Sequence, residues 1–193
     1  GEARLDAAYT HCLGLASSHY ENFPVASWLV PAAIRPHVAA VYAFARTADD
    51  FADEDGYTAP ERLRLLDDWG ARLHGAVEGG AAGGDDDPIF LALGHTIRTC
   101  RLPVELFDAL LSAFRQDVTV TRYATWAEVD DYCRRSANPV GRLVLHCFEK
   151  TRRQGAFSRE QSDAICSALQ FINFWQDVAV DRTKGRVYIP RED

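Results

Sequence analysis

His37-Val38-Ala39-Ala40-Val41-Tyr42-Ala43-Phe44-Ala45-Arg46-Thr47-Ala48-Asp49-Asp50-Phe51-Ala52-Asp53-Glu54 is the stretch from which the fold of this chain is read. It is apolar almost all round until the charges appear near its end, and a helix of that kind is a buried one. At about 100° per residue, Tyr42, Arg46, Asp49, Asp50 and Asp53 fall within one continuous face. A buried helix is therefore expected to present several carboxylates and a guanidinium on a single stripe.

Far along the chain a second set repeats the pattern. Gln170, Asn173, Asp177 and Asp181 are embedded in Phe171, Ile172, Phe174, Trp175, Val178 and Val180. Relative to Asn173 the other three fall at roughly 40° to 80°, so amide and carboxylate oxygens line one side of a helix. Acidic residues spaced four apart on helices usually belong to solvated faces. Here the neighbours are apolar and demand burial, whereas a solvated face carries Lys, Glu and Gln beside its acids. Carboxylates facing one another in a partly dry cleft repel, and each costs several kcal/mol to desolvate unless a cation stands between them. Oxygen-only ligands select hard ions. Mg²⁺ takes a few carboxylates and completes its shell with water and phosphate, which makes a diphosphate the natural third party.

Outward from these two stretches, helical periodicity dominates and no segment shows the sustained alternation of strands, so the class is all-α. Helices are expected over Leu5 to Ser18, from Pro36 to about Glu54, and from the Thr58-x-x-Glu61 capping box to about Glu78. Others run from Asp87-Pro88 to about Cys100 and from Pro103 to about Thr121. Thr125-x-x-Glu128 opens one expected to continue through Glu149, bent at Asn138-Pro139, and Ser158-x-x-Gln161 opens the last, to about Val180. His19 to Ala33 is interrupted by Pro24 and Pro31. The glycine-rich loop 79–87 carries three aspartates that would repel phosphate, and no strand precedes it, so it reads as a linker.

With 193 residues, 47% of them hydrophobic, the chain suits one well-filled domain. A net charge of -7 argues against a nucleic-acid partner and fits a protein that gathers cations. Five scattered cysteines without a C-x-x-C pair indicate neither a disulfide framework nor a zinc site, and the six histidines show no ligand spacing. No apolar run approaches the roughly 18 residues that span a bilayer. A reducing cytoplasm is the expected location. The chain starts at Gly1, contains no Met and stops shortly after the second acidic set, from which an incomplete gene product, or one processed at both ends, is expected.

Three strings together resemble the squalene/phytoene synthase family. His19-Tyr20-Glu21-Asn22-Phe23-Pro24-Val25-Ala26 with the Val41 to Glu54 stretch resembles its first signature. Tyr132-Cys133-Arg134-Arg135-Ser136-Ala137-Asn138-Pro139-Val140-Gly141 resembles its central helix motif. Asn173 to Asp181 with Lys184-Gly185-Arg186-Val187-Tyr188-Ile189-Pro190 resembles its second aspartate-rich signature. Within the family, the Tyr20 to Val25 and Ser136 to Gly141 strings look most like bacterial hydroxysqualene synthases of hopanoid biosynthesis.

The resemblance implies a class I isoprenoid synthase bundle that turns presqualene diphosphate into hydroxysqualene. Two or three Mg²⁺ ions would be bound with the diphosphate, and no NADPH would be needed. It implies Asp49, Asp50, Asp53, Asn173, Asp177 and Asp181 as the metal set, with Tyr42, Arg46, Tyr132 and Asn173 acting on the diphosphate or the cation. Tyr20, Asn22, Phe23 and Gln170 are expected on the substrate. Arg182, Lys184 and Arg186 either close over the diphosphate or are solvated surface charges, and Asn138 with Pro139 either shapes the prenyl pocket or improves packing. An apolar product also admits peripheral contact with the inner membrane face. Relatives continue for roughly another hundred residues of helix, a size typical of a further half-domain, so exposed apolar surface is expected here. A condensing synthase acting on farnesyl or geranylgeranyl diphosphate, and a silent scaffold member of the family, remain open as alternatives.

Overall fold

The computed structural model describes residues 1–18, 30–53, 56–79, 87–149 and 158–190. Their helices are α1 (Glu2–Ser18), α2 (Arg35–Asp53), α3 (Ala59–Glu78), α4 (Pro88–Cys100), α5 (Val104–Thr119), α6 (Trp126–Ser136), α7 (Asn138–Glu149), α8 (Arg159–Gln176) and α9 (Val178–Thr183). Among the described residues the single piece of sheet-like pairing is a parallel bridge between Arg122 and Val187. The expected class is the one observed.

Local chemistry sets most helix ends. The Glu61 carboxylate accepts from the Thr58 backbone N–H at 2.8 Å and from its hydroxyl at 2.7 Å, satisfying a donor at the start of α3. Asp87 accepts from the Ile89 N–H at 2.8 Å while Pro88 fills the first turn of α4, where a missing N–H is harmless. Thr125 accepts from the Glu128 N–H at 3.3 Å, but Glu128 reaches Ala124 rather than Thr125, so the second box is closed one residue early.

α2 is the central element, packed by α1, α3, α4, α5 and α7. That enclosure explains why it is apolar on nearly every side. Phe44 meets Phe107 edge-on with centroids 5.3 Å apart, and Trp69 meets Phe90 at 4.4 Å. The Trp69 indole N–H donates to the Phe44 carbonyl at 3.3 Å, so its polar edge is satisfied in the interior. Each such ring removed from water contributes about 1.5–3 kcal/mol. A buried polar cluster ties α1 to this core: the Tyr9 hydroxyl lies 3.0 Å from His37 Nδ1, 2.8 Å from His95 Nδ1 and 2.9 Å from Thr96 Oγ1. A smaller core of Ala113, Tyr123, Val129, Tyr132, Cys133 and Phe174 joins α5, α6 and α8.

Two expectations about helix continuity are corrected. Asn138-Pro139 does not merely bend one helix; it separates α6 from α7. Pro139 has no N–H to give the Arg135 carbonyl, and the chain tightens to a Val140 N–H to Ala137 O bond of 3.1 Å before restarting. The last helix is likewise interrupted at Asp177, with φ −93° and ψ 4°. Hydrogen bonds from Asp177 N–H to Asn173 O (2.9 Å) and from Asp181 N–H to Asp177 O (2.8 Å) nevertheless run through the break. The one-turn spacing of the three side chains therefore survives.

After α9 the chain reverses at Gly185, whose φ of 77° is one that a side chain disfavours. The reversal brings Val187 onto the end of α5, where its N–H donates to the Thr121 carbonyl at 2.9 Å. On α8, Ile165, Leu169, Ile172 and Trp175 form an exposed apolar stripe beside the oxygen row. The burial expected around that row thus holds for Phe174 and not for these neighbours. No helix among the described residues is long and apolar enough to cross a membrane.

Candidate active site

A cavity of about 530 Å³ opens between α2, α5, α6, α7, α8 and the segment after α9. One part of its wall is apolar: Val38, Val41 and Ala45 of α2, Phe114 of α5, and Val140 and Val144 of α7. The other part is rich in oxygen, with Asp49 and Asp53 from α2, Asp117 from α5, and Gln170, Asn173, Asp177 and Asp181 from the last two helices. Such a cavity, apolar with a few convergent polar groups, is the usual form of a ligand site. Asn173 and Asp177 stand at its exposed side, while Asp49 and Asp181 are set further in.

The acids are crowded. Burial, reinforced by the charge of Asp53, pushes the Asp49 carboxyl up to about 7 against the opposing pull of Arg46. Burial and the charge of Asp177 raise Asp181. Burial also works to raise Asp53, but hydrogen bonds from Lys184 and Arg186 override it and hold that carboxyl below the ordinary range. Lys184 Nζ is 2.9 Å from Asp53 Oδ2, and Arg186 donates to Oδ1. Five cavity-lining aspartates face two lining guanidiniums, those of Arg46 and Arg186, so the site is short of positive charge.

Among the described residues, no three Asp, Glu, His or Cys side chains gather closely enough to hold an ion by themselves. The donor chemistry still fits Mg²⁺, which uses one or two carboxylates per ion and takes its remaining oxygens from water and phosphate. The two oxygen rows share one cavity, and the raised carboxyls are groups that a cation would relieve.

Of the residues expected from sequence, Tyr42, Arg46, Asp49, Asp53, Tyr132, Gln170, Asn173, Asp177, Asp181 and Arg186 line this cavity. Four do not line it: Asp50, Asn138, Arg182 and Lys184. Asp50 sits at the edge of the α2 stripe, its side chain 47% exposed and paired with Arg46 one turn away at 2.9 Å. Asn138 is buried between α7 and α8, where its Oδ1 accepts from the Ser167 hydroxyl at 3.0 Å. A residue opening a helix beside Pro139 is held by the helix packing rather than presented to the pocket. Arg182 is exposed away from the wall, and Lys184 reaches the site only through Asp53. Tyr20, Asn22 and Phe23 lie outside the described residues.

Sequence reasoning missed Asp117, Phe114, Ser136, Gln176 and Tyr188 as wall residues. Asp117 had a readable signal. It continues the buried series Leu110, Ala113, Phe114 at helical spacing, so an acid stands where the α5 pattern calls for an apolar side chain. Tyr188 belongs to the Lys184 to Pro190 stretch, but only the chain reversal at Gly185 turns it toward α5.

Known proteins share this arrangement of helices. The chain is 41% identical to a hydroxysqualene synthase of Zymomonas mobilis subsp. mobilis, over 89% of this chain and 55% of that protein. It thus spans about half the length of that relative. The crystal structure of squalene synthase HpnC from Alicyclobacillus acidocaldarius superimposes with a TM-score of 0.84 at 43% identity, covering 98% of this chain and 68% of the other. A dehydrosqualene synthase crystallised in complex with a ligand gives a TM-score of 0.81 at 25% identity, covering 97% of this chain and 62% of the other. The family model described as squalene/phytoene synthase matches residues 16–193, and the chain belongs to that family.

Proposed function

We propose that this chain carries the ionising site of a head-to-head isoprenoid synthase, and that the protein converts presqualene diphosphate to hydroxysqualene. The observation that carries the reading is the composition of one cavity, cation-seeking on one side and apolar with aromatic rings on the other. Resemblance at 41% identity to a protein named hydroxysqualene synthase favours this product over that of the dehydrosqualene synthase, which is 25% identical.

Asp49 and Asp53 on α2, with Asn173, Asp177 and Asp181 opposite, are the residues that would hold Mg²⁺. When bound, the ion neutralises charge developing on the departing diphosphate. Asp50, set at the rim, is a weaker candidate for direct ligation than its neighbours. Arg46 and Arg186 line the same end and supply guanidinium donors for diphosphate oxygens. Loss of diphosphate breaks the C–O bond with both electrons leaving on oxygen. The cyclopropylcarbinyl cation that remains lies against the apolar wall, with the rings of Tyr132, Phe174 and Tyr188 beside it. Val38, Val41, Val140 and Val144 keep water from that wall until rearrangement is complete. One water oxygen then bonds to the cationic carbon and releases a proton, giving hydroxysqualene without a hydride donor.

The test is a product assay: the protein with presqualene diphosphate and Mg²⁺, analysed by mass detection, with farnesyl diphosphate in parallel. Hydroxysqualene that vanishes with EDTA is expected. Product from farnesyl diphosphate alone would assign a condensing synthase instead. No product from either, with or without chelator, would sink the enzymatic reading.

A further inference from the structure

Asp117 is 6% exposed and lies on α5 at the cavity wall. Both of its carboxylate oxygens are taken by phenols. Tyr132 Oη donates to Oδ2 at 2.6 Å, and Tyr188 Oη donates to Oδ1 at 2.8 Å. The two rings lie 5.5 Å apart, and Tyr188 stacks on Phe174 at 4.2 Å with 6° between planes. Tyr132 comes from α6, Tyr188 from the segment after α9 and Phe174 from α8, so one carboxylate joins three parts of the chain into a single aromatic wall.

A phenol has one proton to donate. With both protons committed to Asp117, Tyr132 and Tyr188 offer the cavity ring faces and oxygen lone pairs, and no acidic hydrogen. A hydrogen bond to an ionised acceptor also polarises the phenol and adds electron density to the ring. A wall of this kind attracts a positive centre and cannot protonate a neighbouring alkene or the leaving group.

We propose that Asp117 is a positioning residue that orients Tyr132 and Tyr188 as electron donors toward the cavity, making this wall the resting place of the cationic carbon. The proposal rests on the ionising reading given above. Asp117 itself touches no substrate in this scheme; it acts through the two phenols.

The probe is a long-chain tertiary prenyl ammonium, which mimics the cation, offered with Mg²⁺ and inorganic diphosphate and followed by calorimetry. A prenyl alcohol of the same length is the neutral control. Asp117→Asn keeps the shape but donates from its amide to one phenol, reversing that phenol's polarity. The expected result is about tenfold weaker binding of the ammonium by D117N, the scale of one desolvated cation–π contact, with the alcohol and diphosphate unaffected. Where turnover is measured, kcat falls with KM little changed and products of early proton loss increase. Equal ammonium affinity in wild type and folded D117N overturns the proposal. Weakening of diphosphate binding by the same factor also overturns it, by placing Asp117 in the anion site. Should D117N fail to fold, Tyr188→Phe carries the same comparison, with about threefold loss expected and equality overturning the idea. Failure of the ionising reading itself shows separately, as absence of product from the wild-type protein.

Discussion

Arg186 and Asp53, 133 positions apart, are direct ion-pair partners across the mouth of the cavity, and Lys184 shares the same carboxylate. The end of the described chain thus closes on the end of α2, and one of the candidate metal-binding acids is held by two cations of the protein itself.

That pairing predicts a particular acid response. A carboxyl held below its ordinary value stabilises the fold above about pH 4 and loses that contribution as pH falls through its folded value. Replacing both Lys184 and Arg186 by Ala should lower stability at pH 7 by about 1 kcal/mol, a figure kept small because Lys184 stands half in solvent. Urea denaturation at pH 7 and pH 3 checks it. The gap between wild type and variant should close at the lower pH, and a constant gap would contradict the assignment.

Asp49 should behave in the opposite sense. Its carboxyl is raised from 3.8 to about 7, so folding takes up protons between those values and stability falls as pH rises through that window. Asp49→Asn removes the repulsion. With chelator present, the variant should melt about 2–4 °C above wild type at pH 8, roughly 1 kcal/mol for a chain of this size, and level with it near pH 4. Turnover should be lost in Asp49→Asn and in Asp177→Asn alike. Melting curves at the two pH values, with the product assay, decide the matter.

Gly141 sets the distance between α7 and α8. A Cβ there would stand 2.5 Å from Cys166 Sγ and 2.6 Å from Ser162 Oγ, closer than atoms pack. Gly141→Ala should cost about 1–3 kcal/mol through overpacking and displace the helix that carries Asn173. Weaker Mg²⁺-dependent diphosphate binding should accompany the lower melting temperature. Adding Ser162→Ala and Cys166→Ala should restore much of both, and no restoration would show that the contact is not the cause.

Tyr9→Phe should cost about 1–2 kcal/mol, since a buried network loses its shared hydroxyl. The clamp lies away from the cavity wall, so calorimetric binding of Mg²⁺ and diphosphate should be unchanged. Altered binding would mean that α1 helps to set the position of α2.

The sequence by itself determined the helical class, the burial of α2 and the periodic placement of both oxygen rows. These are local consequences of 3.6-residue geometry and of apolar side chains seeking cover. The expected helix starts at Thr58, Asp87, Thr125 and Ser158 follow from capping chemistry, which is also local. Tertiary structure alone decided the rest. Whether Asn138 bends or breaks its helix depends on what α7 must pack against, and α8 lies there. Asp50 and Asp53 are indistinguishable in composition, yet one pairs with Arg46 at the rim and the other meets Arg186, because three residues of helix turn their side chains about 60° apart and the returning chain reaches only the second. The tyrosine-bound Asp117 and the return of Tyr188 join residues 71 positions apart. No periodicity along one helix encodes such a contact; it exists only once the chain has reversed at Gly185 and docked on α5.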